Sequence, residues 1–227
     1  MIIERQLMPF SPLRLLLFIL ALIFLIVFIQ VGMISIAFEK LGLSEDSAYL
    51  LLACTLVGSA INLPLFNLEA DRDVPLRPPR EMARWPFFML PPVADKVVVA
   101  VNVGGAVVPV AFSFYLIAHS ALHPLQVAAA VAAVALIAHA VSRPLPGIGI
   151  GMPGLIAPVA AALIATILDP QQRAPLAYIC GTLGVLIGAD LLRLHDIRRL
   201  GSPIAVIGGA GTFDGVFVSG LLAVLLA

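Results

Sequence analysis

Two acidic side chains sit where lipid should exclude them. Asp190 lies late in the apolar run that contains GVLIGADLLRL, and Asp214 lies midway along the run that contains GGAGTFDGVFVSG, whereas every other Asp or Glu falls in a loop or at the end of an apolar stretch. An ionised carboxylate at the bilayer centre costs about 2.5–3.5 kcal/mol on insertion scales, so an intramembrane acid is a candidate for function. The structural alternative is an Asp that bonds to hydroxyls or to backbone amides freed by nearby glycines. Spacing favours chemistry. Asp190 and Asp214 are each twelve residues from Ser202, in the linker HDIRRLGSP, where Gly201 and Pro203 suit a helix end and a helix start. In a helical hairpin both would stand about 18 Å from the turn, at one height. Facing carboxylates cannot both ionise cheaply and would share a proton, one acting as general base and the other as general acid. The same pair could hold a proton or cation in a transporter.

Three glycine-rich stretches fall at matching depth: NVGGAVVP at 102–109, GIGMPGLIAP at 149–158 and GGAGTFDG at 208–215. Glycine removes side-chain bulk, and Pro109, Pro153 and Pro158 free backbone carbonyls, so the expectation is either close helix packing or unwound backbone lining a polar cavity. Asn102, Gly104, Gly105, Gly151, Gly154 and Gly211 are the candidate substrate-binding residues on the second reading.

The elements that must carry these residues follow from composition. Of 227 residues 61% are hydrophobic and 11% charged, too few charges to cover a soluble globule of this size. The expected fold is an all-α, polytopic transmembrane bundle in one integral membrane domain, 1–227, with about seven spans at 13–36, 47–68, 97–118, 124–141, 147–168, 174–193 and 203–226. The first is too long for a signal peptide core. With the N-terminus cytoplasmic, eleven positive residues fall inside: Arg5 and Arg14, five between Arg72 and Lys96, Arg143, and Arg193, Arg198 and Arg199. Only Lys40 and Arg173 fall outside, the bias expected of a multi-pass protein of a cell membrane, here a prokaryotic inner membrane. Tyr49, Tyr115 and Tyr178 land near outer helix ends, where amphipathic rings gather. The cytoplasmic linker 69–96 carries six prolines and Trp85, and reads as an interfacial loop with aromatic anchors.

A net charge of zero offers no field for nucleic acid, and membrane lipids are the expected partners. Cys54 and Cys180 have no metal-ligand spacing; His119 and His123 lack a third ligand; His139 is expected to be hydrogen-bonded. No metal or cofactor is expected. Arg193, Arg198 and Arg199 are expected to meet anionic lipid, with Asp196 as a local ion-pair partner.

The run GTFDGVFVSGLLAVLL resembles the GxGD helix of intramembrane aspartyl proteases, the presenilin and signal-peptide-peptidase group, with Asp214 at the catalytic position. GADLL around Asp190 is similar to the helix that carries that group's other catalytic Asp. Phe213 replaces the second glycine of GxGD and Ala189 the tyrosine before the Asp. The resemblance, over residues 185–225, implies a metal-free aspartic endopeptidase acting on transmembrane peptides through Asp190 and Asp214. The whole chain also resembles an uncharacterised family of prokaryotic membrane proteins of unknown function. A small ion- or proton-coupled transporter and a structural or assembly protein stay open beside the protease reading, and neither substrate nor oligomeric state is legible.

Overall fold

The computed structural model describes residues 20, 32–69, 96–145, 149–199, 204–209 and 215–227. Most of the first expected span, most of the linker 69–96 including Trp85, Gly211 and Asp214 lie outside them. The described chain is mostly helical, with α1 (Gly32–Lys40), α2 (Glu45–Ser59), α3 (Val108–His119), α4 (Pro124–Val141), α5 (Ile156–Leu168), α6 (Arg173–Val185) and α7 (Gly215–Leu226). π-turns at Val103–Val107 and Leu186–Asp190 lead into α3 and out of α6.

Helix α6 is the axis of the molecule. It is buried on all sides from Leu176 to Cys180 and packs against α3, α4, α5 and α7. Helix α4, rich in alanine and started by Pro124, buries one face through Val127, Ala130, Val134 and Ala138 and turns Leu125 and Leu136 outward; Leu163 and Ile167 of α5 are exposed in the same way. Exposed large apolar side chains of this kind suit contact with lipid. Among the described residues two helices, Pro124–Val141 and Arg173–Leu191, are long and apolar enough to cross a membrane, and the pair α1 and α2, bent by 113°, makes a third if it acts as one span.

The all-α expectation is corrected by five strands: β1 (Asn62–Glu69), β2 (Lys96–Asn102), β3 (Arg143–Leu145), β4 (Gly149–Gly151) and β5 (Ile204–Ile207). β1, β2, β4 and β5 occupy stretches that length and hydropathy assigned to helical spans two, three, five and seven, and β3 falls in the loop between spans four and five. Side-chain chemistry accounts for the change. KVVVAVN and IAVI are rich in β-branched residues, which lose rotamer freedom in a helix and pack well on a pleated surface. Pro64 falls on β1, an outer strand, beside the irregularity in register between Pro64 and Phe66. The sheet order is β1-β2-β5, with β1 antiparallel to β2 and β5 parallel to it, Val101 opposite Ile207. β3 and β4 form a separate hairpin.

The two ends of the molecule differ. At one end the turn at Lys40–Gly42, the turn at His119–Ala121, residues 171–175 and the end of α7 line a common cavity of about 580 Å³. There Lys40 Nζ donates to the carbonyls of Val224 and Leu225, the last turn of α7, and Gln126 Nε2 donates to Leu168 O across α4 and α5. The strands lie at the opposite helix ends. The loops that charge counting assigns to the outside thus converge on one end.

Candidate functional site

Asp190 closes the π-turn that continues α6. Its Oδ2 accepts the backbone N–H of Gly208 at 2.7 Å. That amide belongs to the turn directly after β5, where Gly208 and Gly209 have φ of 81° and 88°, a left-handed conformation that side-chain-bearing residues adopt at a cost. A Cβ on Gly208 would come within 2.6 Å of Ala106 Cβ and 2.8 Å of the Gly105 backbone, so the turn after β5 rests directly on the turn after β2.

The second turn is fixed by Asn102. Its Oδ1 accepts Gly105 N–H at 2.6 Å, while Nδ2 donates to Ser59 O at 2.7 Å and Asn62 Oδ1 at 2.9 Å. The side chain is 1% exposed, and both its donors are taken. One amide therefore joins the end of α2, the start of β1 and the π-turn before α3. Gly104 lets this happen, because a Cβ there would run into the α2 backbone at Thr55 and Ser59. Asn102, Gly104 and Gly105 thus form one assembly with Asp190 through Gly208. Gly151 instead packs against Leu145 in the β3–β4 hairpin, and Gly154 faces open space; their stretch reaches the assembly through Ala157 and Met152, in the apolar cluster that holds Ala106 and Ala189. Gly211 and Asp214 lie outside the described residues.

Helix α6, which leads to Asp190, and α7 run antiparallel in close contact. Gly181 of α6 stands against Ala223 and Gly220 of α7, and Gly220 against Thr182 and Tyr178. Further along, Val216 joins the apolar cluster of Val185, Leu186 and Ala189. The start of α7 at Gly215 therefore stands level with the π-turn of Asp190. The hydroxyls of Tyr178 and Thr182 are buried together at this interface. Tyr178 is fully buried, its ring edge-on to Phe112 at 5.0 Å, so it is a core residue and not the interfacial anchor expected of it.

Sequence reasoning missed the Gly208 amide as the partner of Asp190. The signal for it was a β-branched run ending in a glycine pair. It also missed the main task of Arg193. The expected pair with Asp196 is present at 3.0 Å, but the guanidinium also donates to Ser142 Oγ at 3.2 Å, Ser142 O at 2.8 Å and His139 O at 2.7 Å, holding the last carbonyls of α4. His139 Nδ1 lies 3.2 Å from Gly188 O. His123 Nδ1 accepts the N–H of Leu125 in the first turn of α4, and His119 stacks on Tyr115 at 4.1 Å between centroids. Among the described residues no group of three His, Cys, Asp or Glu is arranged to hold a metal ion.

Neither curated proteins nor solved structures yield a match to this chain. A family model does, over residues 56–226, which includes both aspartates and all three glycine-rich stretches. The chain belongs to the DUF1614 family, described as a protein family of unknown function.

Proposed function

We propose that this is a multi-pass protein of a cell membrane, with about seven crossings and a cytoplasmic N-terminus, in which Asp190 and Asp214 form a paired site that hydrolyses membrane peptides. One observation carries the reading: the Asp190 carboxylate is bonded to the Gly208 amide, in the segment that leads to Asp214, while α7 begins level with the Asp190 turn. Two irregular turns meet there, the π-turn that ends α6 and the left-handed glycine turn after β5, as befits a site that needs polar backbone within an apolar bundle.

The chemistry is that of a carboxyl pair sharing one proton. The ionised member takes a proton from water as the oxygen attacks the peptide carbonyl carbon, and the protonated member delivers its proton to the carbonyl oxygen. The tetrahedral diol then collapses. The amide nitrogen gains a proton as the carbon–nitrogen bond breaks, and the pair returns to one shared proton. The Gly208 amide holds Asp190 in one orientation throughout.

A second reading, a small ion- or proton-coupled transporter, is favoured by the interrupted helices, since broken spans near midplane acids are the usual ion and substrate sites of carriers. The test compares wild type, Asp190→Asn and Asp214→Asn in two assays, cleavage of model transmembrane peptides and uptake into proteoliposomes. Cleavage by the wild type and by neither variant supports hydrolysis. Uptake lost in both variants, with no cleavage by the wild type, replaces it with transport. Wild-type behaviour of both variants in both assays removes the paired site.

A further inference from the structure

The π-turn that ends in Asp190 is gripped by α4 at three points. Gly188 crosses α4 so closely that a Cβ there would meet the carbonyl oxygen of Ala135 and, at 2.9 Å, Ala138 Cβ. One turn further along α4, His139 Nδ1 faces Gly188 O at 3.2 Å. Arg193, just past the turn, closes the grip by holding His139 O and Ser142 O. A carbonyl only accepts, so Nδ1 carries the hydrogen in this contact. A π-turn replaces the i→i+4 helical bond pattern by i→i+5 and is rare in helices, so a side chain that grips it helps to fix its form.

We propose that His139 is the positioning residue for Asp190: its Nδ1–H, bonded to Gly188 O, holds the π-turn in the form that hands the Asp190 carboxylate to the Gly208 amide. The inference rests on the reading of Asp190 as a functional carboxylate, and extends it to a side chain on a different helix. His139 does not touch the carboxylate. It acts two residues away, through the backbone.

The test reads Asp190 itself. The purified full-length protein in lipid nanodiscs is treated with dicyclohexylcarbodiimide, which modifies protonated carboxyls in apolar surroundings, and labelling of Asp190 is followed by mass spectrometry. Asp169, at the end of α5 and bonded to Gln172 N–H, serves as internal reference. His139→Leu removes the donor and should raise Asp190 labelling about fivefold, the scale of one hydrogen bond, with Asp169 unchanged. His139→Asn, whose amide N–H stands near the Nδ1 position, should restore the wild-type rate. Labelling of Asp190 at the wild-type rate in His139→Leu overturns the proposal. So does a parallel rise at Asp169, which signals general loosening, and so does failure of His139→Asn to restore the rate. If His139→Leu does not fold, His139→Gln replaces it, since its donor lies nearer the Nε2 position and should leave labelling raised. The paired-site reading fails separately, if Asp214→Asn leaves Asp190 labelling untouched.

Discussion

Asp190 Oδ2 and the backbone N–H of Gly208 meet at 2.7 Å, joining the end of the central helix to the turn after the last strand. The bond gives the carboxylate a structural task beside any chemical one, and the two tasks separate by mutation. Asp190→Asn keeps an acceptor for Gly208 and should change stability by less than about 1 kcal/mol, whereas Asp190→Ala strands a buried N–H at a cost of about 1–3 kcal/mol. Both should abolish the proposed hydrolysis. Thermal unfolding in detergent, set beside the cleavage assay, distinguishes the effects.

Gly188→Ala should destabilise the bundle by about 1–3 kcal/mol, because the new methyl would meet the Ala135 carbonyl oxygen and α4 must move away. The same substitution at Gly154, which has open space about it, should be close to neutral. The pair of melting temperatures gives the answer.

Asn102→Ala removes three hydrogen bonds at once and leaves Gly105 N–H without its acceptor. The expected loss is about 3 kcal/mol, at about 1 kcal/mol for each bond. Asn102→Asp keeps the bond to Gly105 but turns an acceptor toward Asn62 Oδ1 and Ser59 O, so it should rescue only in part. Denaturant or thermal unfolding of the two variants ranks them.

Orientation has its own measurement. In a background with Cys54→Ser and Cys180→Ser, a cysteine at Ser120 should react with an impermeant maleimide from the outside of intact cells, and a cysteine at His195 should react only after the membrane is opened. Equal labelling of both in intact cells would refute the seven-crossing arrangement.

Much of the helical framework was legible because hydropathy and helix signals agree there. The run 124–141 coincides with α4, which has Pro124 in its first turn and His123 as its cap. The strands were not read, since a run of about twenty apolar residues satisfies the length rule for a span whatever its side chains prefer. The distinguishing mark was present in VVVAV and IAVI, whose β-branched residues argue for pleated backbone inside an otherwise span-like run. At the site, the meeting of Asp190 with Gly208 does not follow from the hairpin spacing, which matched Asp190 to Asp214 across two helices, because the strand β5 carries the return. Nor do the roles of Asn102 and Arg193, because each depends on which carbonyls a fold brings within reach, and Asn102 joins segments 43 residues apart while Arg193 reaches 54 residues back.

The parallel pairing of β2 with β5 also sets an order of assembly. Val101 waits for Ile207, so β2 leaves the translation machinery long before its second neighbour exists, and β1 alone can shelter it meanwhile. The helices α3 to α6 are made in between. Only when β5 pairs with β2 does the Gly208 amide reach Asp190, so the acid acquires its partner late in synthesis, with only α7 still to follow among the described elements. A nascent chain halted before residue 204 therefore carries an uncoupled carboxylate, and the site stays unarmed until the bundle around it is complete.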